Sequence, residues 1–497
     1  MSIPETESPR ATEAPSGLLS LQQIADQAFS RAAGAPLVTG NAVRILKDAA
    51  ENFPVWLDAI RGAGRSVFFE SYMIGDDPVG REFIQVLAER ARAGVRVRLL
   101  YDWVGTQAPA ALFTPLVHAG GEVRSFNPPR LDSPFGWLTR DHRKMIAVDG
   151  RIGFVTGLGV SARWRGNPAR RLDAWRDTGI EIRGPAVADL ELAFAQVWEA
   201  TGSAIPDDDL TPSESIPPAG EVKLRVIAST PDSSGLFRLD HLIAAGARER
   251  LWLTDAYFVG LTPYVQALCA AARDGVDARL LVPSASDIPV ISRLSRAGYR
   301  PLLESGVRIF EWNGSMLHAK TAVADDRWAR IGSTNLSLAS WLNNYELDVA
   351  VEDERVAAQM AAMYEDDLAR STEIVLGRRR RPRAAPGAAP RRRRALSGSA
   401  RRAAAGALSV GAAVGAAFTN RRVLGPAEAN VLARVAVVLF VLAAVAIVWP
   451  RIVAFPIALV AAWLGVVMLL KARRLGRARR RTTKQAGGRS GAPHESR

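Results

Sequence analysis

Two histidines stand in the same local setting: His142-Arg143-Lys144-Met145-Ile146-Ala147-Val148-Asp149 and His318-Ala319-Lys320-Thr321-Ala322-Val323-Ala324-Asp325. Both read H-x-K-x4-D, and together they use two of only five histidines in the chain. The apolar alternation around each predicts a strand, and side chains two apart on a strand point the same way, so His and Lys share a face. A histidine beside a fixed positive charge suits phosphodiester chemistry. One imidazole attacks phosphorus as a neutral base, a second protonates the leaving oxygen, and two lysines stabilise the equatorial oxygens. Two such pairs, one from each copy of a duplicated fold, complete both half-reactions without a metal, and no convincing carboxylate and histidine ligand cluster is visible in the sequence.

The surrounding elements are themselves duplicated. Val67-Phe68-Phe69-Glu70-Ser71-Tyr72 reads as a strand, residues 80–93 as a helix, and Val95-Arg96-Val97-Arg98-Leu99-Leu100-Tyr101 as a second strand. Strand Leu251-Trp252-Leu253-Thr254-Asp255-Ala256-Tyr257 echoes the first. The passage Ala93-Gly94-Val95-Arg96-Val97-Arg98-Leu99-Leu100 recurs as Asp274-Gly275-Val276-Asp277-Ala278-Arg279-Leu280-Leu281, and Val123-Arg124-Ser125-Phe126 as Val307-Arg308-Ile309-Phe310. Three matches in one order, about 180 residues apart, indicate a duplicated domain rather than a solenoid. The predicted class is α/β, two copies of a mixed β-sheet flanked by helices.

These motifs resemble the phospholipase D superfamily, and within it the bacterial cardiolipin synthase-like branch. The resemblance rests on His318, Lys320 and Asp325 followed by Gly332-Ser333-Thr334-Asn335 and Asn343-Asn344-Tyr345-Glu346. In the first half it rests on Asp141-His142-Arg143-Lys144, Val148-Asp149-Gly150-Arg151, Trp175-Arg176-Asp177-Thr178 and Gly184-Pro185-Ala186-Val187. It covers residues 41–367, to within a few positions at either end. It implies duplicated phospholipase D-like domains and a phosphohistidine intermediate on His142, with His318 as the general acid, or the reverse. It further implies that Lys144, Lys320, Ser333 and Asn335 bind phosphate and that Asp177 and Glu346 orient the imidazoles. Asp149 and Asp325 complete the catalytic motifs, although the resemblance gives them an architectural role as strand-end hydrogen-bonding residues. The first repeat departs from the family's Gly-Gly-x-Asn, having Thr156-Gly157-Leu158-Gly159. Lys144 or Ser161 is the candidate to compensate, or the second half holds the phosphate almost alone. Trp164, Arg165, Arg170 and Arg171 are read as a loop that touches a headgroup or solvent, and Phe135-Gly136-Trp137-Leu138 as an apolar contact for acyl chains. His118 is read as a helix-end residue and His241 as helix packing.

Composition bounds what this chemistry serves. A single cysteine, Cys269, excludes an internal disulfide and a thiolate zinc cluster. The whole chain carries +14, but residues 377–497 hold 25 basic and 2 acidic residues, leaving 39 basic against 48 acidic before them. The body is acidic, a poor footprint for nucleic acid, and the basic tail suits anionic lipid. Residues 435–449 and 452–470 are free of charge; the longer run reaches about 28 Å, near the hydrocarbon thickness of a bilayer. Basic residues on both flanks predict a transmembrane helical hairpin with both ends and the catalytic domain on the cytoplasmic side of the cell membrane. The expected order is a disordered leader (1–17), a first domain (18–202), a linker (203–221), a second domain (222–376), a polybasic linker (377–430), the membrane hairpin (431–471) and a basic tail (472–497). The expected activity is a cardiolipin synthase-type phosphatidyl transfer on phospholipids, phosphatidylglycerol or phosphatidylethanolamine, with no cofactor. A hydrolytic phospholipase D and a nuclease of the same superfamily are the alternatives. Both histidines lie within one chain, so catalysis requires no dimer.

Overall fold

The computed structural model describes residues 21–106, 108–129, 138–167, 169 and 172–376, with six isolated positions between 440 and 466. The expected leader, polybasic linker and basic tail, residues 135–137 of the apolar loop, Arg170 and Arg171 lie outside the described residues, as do the two apolar runs apart from those six positions. Among the described residues no helix is long and apolar enough to cross a membrane.

The first repeat contributes β1 (Val38–Lys47), β2 (Ser66–Ser71), β3 (Arg96–Asp102), β4 (Glu122–Phe126), β5 (Arg140–Asp141), β6 (Lys144–Val148), β7 (Ile152–Thr156) and β8 (Thr178–Arg183). The second contributes β9 (Val222–Ser229), β10 (Arg250–Thr254), β11 (Asp277–Pro283), β12 (Arg308–Trp312), β13 (Thr321–Ala324), β14 (Trp328–Gly332), β15 (Asn344–Glu352) and β16 (Ser371–Ile374). They form one sheet with the order β16-β12-β11-β10-β13-β14-β15-β9-β1-β8-β7-β6-β2-β3-β4, and β5 pairs off this path with β15. Read outward from the β1–β9 seam, the two halves repeat each other strand for strand: β8-β7-β6-β2-β3-β4 answers β15-β14-β13-β10-β11-β12. Strands β2-β3-β4 and β10-β11-β12 run parallel because a helix crosses over between each pair, whereas hairpins join β6 to β7 and β13 to β14 in antiparallel pairs and β16 adds antiparallel to β12.

The strands alternate in burial partners: the apolar side chains of one sheet face merge into a core that spans the seam, while those of the other face form a separate core in each repeat. Phe68, Phe194 and Trp198 of the first repeat belong to the same buried cluster as Trp252, Leu281, Phe310 and Tyr364 of the second. Both repeats therefore form a single compact unit rather than two separable globules. Two boundaries differ from the sequence expectation. The helix Leu21–Ala33 packs on the second repeat, where Arg238 Nε donates to Ala32 O at 2.9 Å and Phe29 and Ala33 join its core. Amphipathic helices settle wherever an apolar face is open, and here that face belongs to the helix Gly235–Gly246. Residues 203–221 are packed as well: Ile205 and Ile216 are buried, and Asp209 accepts from Arg98 at 2.6 Å.

Candidate active site

Neither motif histidine lies within a strand; each occupies the extended residues just before one, His142 ahead of β6 and His318 ahead of β13. The backbone explains why. His142 N–H donates to Tyr345 O at 2.9 Å, beside the short parallel pairing of β5 with β15. His318 N–H donates to Arg176 O at 2.7 Å, beside a parallel bridge between Arg176 and Leu317. Each histidine segment is thus docked on the chain of the opposite repeat, next to that repeat's acid.

The consequence is an exchange of partners. Glu346, from the second repeat, lies with Oε2 2.8 Å from Nδ1 of His142. Asp177, from the first, lies with Oδ2 2.8 Å from Nδ1 of His318. Both carboxylates are wholly buried and both imidazoles nearly so. Holding Nδ1–H against a carboxylate turns Nε2 of each ring toward the site, where that of His318 has Lys320 Nζ at 3.1 Å. Lys144 Nζ donates to His142 O at 2.6 Å, and Lys320 Nζ stands 2.9 and 3.1 Å from the two ring nitrogens of His318. Tyr72 faces His142 edge-on at 4.7 Å, and Tyr257 faces His318 at 5.8 Å.

Burial and the lysines tune the charges. Burial pushes His318 down to about 4, Lys320 adding to the effect and Asp177 opposing it. Burial likewise lowers His142 against the pull of Glu346. Lys144 is brought down to about 7 by burial, and Lys320 also falls below its ordinary range by burial. For Asp177 and Glu346 burial is the largest single effect and acts upward, but the facing imidazole, the neighbouring lysine and the hydrogen bonds from Trp164 or Ser333 together hold each carboxyl below the usual range. The site at neutral pH therefore carries two carboxylates and neutral imidazoles.

The two supports differ. Ser333 Oγ donates to Glu346 Oε2 at 2.6 Å and accepts Leu347 N–H at 2.9 Å, while Asn344 Nδ2 donates to Glu346 Oε1 at 3.2 Å. Asn335 is buried with its Oδ1 unpartnered. In the first repeat Thr156 Oγ1 is occupied by Thr178 O and Leu158 N–H, and Ser161 caps the helix Ala162–Arg165 and donates to Asp77 Oδ2 at 2.8 Å. Ser161, suggested by sequence as a phosphate contact, is committed to that cap. Trp164, expected in an exposed loop, is 2% exposed and its Nε1 donates to Asp177 Oδ2 at 2.9 Å. The hint of its role in the sequence was the missing amide at position 159.

Asp149 and Asp325, counted in the catalytic motifs, are placed outside the reacting groups, which corrects that assignment. Each closes the far end of its strand, five residues beyond the lysine and so about 16 Å away. Asp149, at φ 56°, accepts N–H groups of Gly64, Arg65 and Ser66 at 2.7–2.8 Å. Asp325, at φ 47°, accepts those of Arg248, Glu249 and Arg250 at 2.8–3.0 Å. Each aspartate clips the turn that starts β2 or β10. Arg143, which sequence passed over, is wholly buried and ties the repeats together, donating to Glu346 O, Ala193 O, Gln196 Oε1 and Ser229 O at 2.6–3.1 Å. His118 ends the helix Thr114–His118, and His241 Nδ1 contacts Phe237 O within its helix. Among the described residues no group of three or more His, Cys, Asp and Glu side chains could hold a metal ion.

A duplicated α/β fold that brings two His-Lys pairs and two exchanged carboxylates to one seam defines a phospholipase D-like protein. Comparison with known proteins narrows this. The family model described as cardiolipin synthase, PLD-like domain, matches residues 241–368. Cardiolipin synthase of Halalkalibacterium halodurans is 32% identical over 364 residues, covering 71% of this chain and 71% of that protein. Cardiolipin synthase A of Pseudomonas aeruginosa is 33% identical over 354 residues, covering 70% and 71%. The crystal structure of phosphatidylserine synthase from Haemophilus influenzae superposes with a TM-score of 0.56 at 14% identity, covering 70% of this chain and 91% of that one, a likeness of fold. The chain belongs to the cardiolipin synthase family of phospholipase D-like proteins.

Proposed function

We propose that the protein is a membrane-anchored phosphatidyltransferase that makes cardiolipin from phosphatidylglycerol, alone or with phosphatidylethanolamine as donor. The observation that carries this reading is the pair of exchanged couples, His142 with Glu346 and His318 with Asp177, each with its lysine. The phosphodiester anion binds between Lys144 and Lys320, with Ser333 and Asn335 beside it, and its charge raises the proton affinity of both imidazoles. Nε2 of His142 attacks phosphorus while the protonated His318 delivers its proton to the departing glycerol or ethanolamine oxygen. A phosphatidyl group is then bound to His142 through a P–N bond. The hydroxyl of a second phosphatidylglycerol gives its proton to His318 and attacks phosphorus, breaking that bond and restoring both rings. The acidic body disfavours nucleic acid, and the basic tail with the apolar runs at 435–449 and 452–470 would hold the site at the cytoplasmic face of an anionic membrane.

The test is to incubate full-length protein, without added metal, in phosphatidylglycerol liposomes with and without phosphatidylethanolamine, and to identify products by mass against a His142→Ala blank. Cardiolipin with released glycerol or ethanolamine is the expected result. Phosphatidic acid as the sole product would make the protein a hydrolase, and no histidine-dependent lipid product would overturn the reading.

A further inference from the structure

The first repeat lacks both polar groups that support the acid in the second, yet Asp177 is as firmly seated as Glu346. In the second repeat one carboxylate oxygen, Glu346 Oε2, serves both the imidazole and a hydroxyl, that of Ser333. In the first, one oxygen, Asp177 Oδ2, serves both the imidazole and the indole N–H of Trp164, while Oδ1 accepts Thr178 N–H at 2.9 Å. Gly157 stands where the second repeat has Ser333, and a Cβ there would overlap Asp177 Oδ1. Gly159 stands where the second repeat has Asn335, and a Cβ there would come within 2.8 Å of the Trp164 ring. Neither glycine has a positive φ, so their smallness serves space and not backbone conformation. The ring also stands edge-on to His318 at 5.3 Å and packs on Trp175 at 4.8 Å.

We infer that Trp164 is the positioning residue of the first repeat: its N–H stands in for the hydroxyl of Ser333, and its ring occupies the space of the absent amide at 159, so that Asp177 is fixed against His318. This rests on the phosphatidyl-transfer reading and deepens it. Departure from Gly-Gly-x-Asn is then a coordinated exchange of four residues, 157, 159, 164 and 177, in which an aspartate, shorter than glutamate by one methylene, goes with a glycine facing it. It also leaves the buried Asn335 without a first-repeat counterpart, so that the side-chain amide stands on the second repeat's side of the site alone. His318 meets an aromatic wall of Trp164, Trp175 and Tyr257, and the charged groups acting on it are Asp177, Lys320 and Lys144.

Trp164→Phe keeps an aromatic ring and removes the donor. A carboxylate that loses a donor holds the imidazolium more strongly, so the titration of His318 moves to higher pH while that of His142 stays in place. We expect kcat in phosphatidylglycerol liposomes to fall on the order of tenfold, with KM and the melting temperature little changed. The titrations are read by NMR on full-length protein carrying labelled histidine, the five signals being assigned by replacement. In a second comparison, Trp164→Ala with Gly159→Asn recovers part of the turnover lost in Trp164→Ala, and Trp164→Ala with Gly159→Ala does not. Wild-type turnover and an unmoved His318 titration in Trp164→Phe would overturn the inference, as would equal shifts of both histidines. If the wild type makes no lipid product, the transfer reading fails, and the His318 titration still decides the role of Trp164.

Discussion

Nδ1 of each motif histidine is held by a carboxylate from the other repeat, and this exchange acts on the charge of the groups nearby. With Asp177 on His318 and Glu346 on His142, a change in one carboxylate should act through one imidazole only. Asp177→Asn is expected to lower kcat on the order of a hundredfold in an otherwise unaltered chain, yet to add less than about threefold when His318 is already Asn. On a Glu346→Gln background its full loss should reappear, and steady-state rates of the single and double variants decide this. The sequence singled out both acids but could not say which ring each serves, because the contacts span 141 and 204 residues and are set by strand docking. A pH effect follows from His318 as well. Its folded value of about 4 lies below its ordinary 6.5, so the unfolded chain takes the proton first. The associated stability is fully present above pH 6.5 and is lost as the pH falls through about 4, on the order of a few kcal/mol. Melting temperatures of the full chain should fall across that window, and the slope should flatten in His318→Asn.

Strands β6 and β13 separate two jobs that the motif compresses into one string. Their entry ends carry His and Lys to the site, and their exit ends carry Asp149 and Asp325 to the turns before β2 and β10. Asp149→Asn should therefore destabilise the protein by about 1–3 kcal/mol, through backbone N–H groups that lose a charged acceptor, while folded protein retains near-normal kcat. Chemical denaturation beside an activity assay checks both; a large loss of kcat at unchanged stability would return Asp149 to the reacting groups. Alternating apolar residues made the strands and the duplication readable in advance, because a period of two is a local property. The partners of the Leu21–Ala33 helix and of residues 203–221 were not readable, because those segments bury their apolar side chains on surfaces assembled from distant sequence. The same limit hid Trp164, whose significance lies in two glycines and an aspartate it meets only after folding.

At the scale of the whole chain, the pseudo-twofold order of the sheet around β1 and β9 turns a duplicated sequence into one unsymmetrical site. Arg143 and Arg176 reinforce the seam from within, Arg176 through Asp367 at 2.8 Å, so neither half owns a complete catalytic couple. Duplication and family were legible from the paired motifs, since repeated His-x-Lys spacing survives without knowledge of contacts. Their assembly across a seam was not, since it depends on which strand edges meet. The central claim is that one chain passes a phosphatidyl group through a histidine of this seam, aided by the other. The most direct measurement is to expose full-length His318→Ala to phosphatidylglycerol liposomes, quench, digest and map adducts by mass, with His142→Ala and the double variant beside it. Removing the acid slows turnover of the intermediate, so the account predicts a phosphatidyl adduct on the peptide bearing His142 in the His318→Ala chain, and none in the double variant. Cardiolipin formation with no adduct on either motif histidine, or an adduct that persists in the double variant, would contradict it.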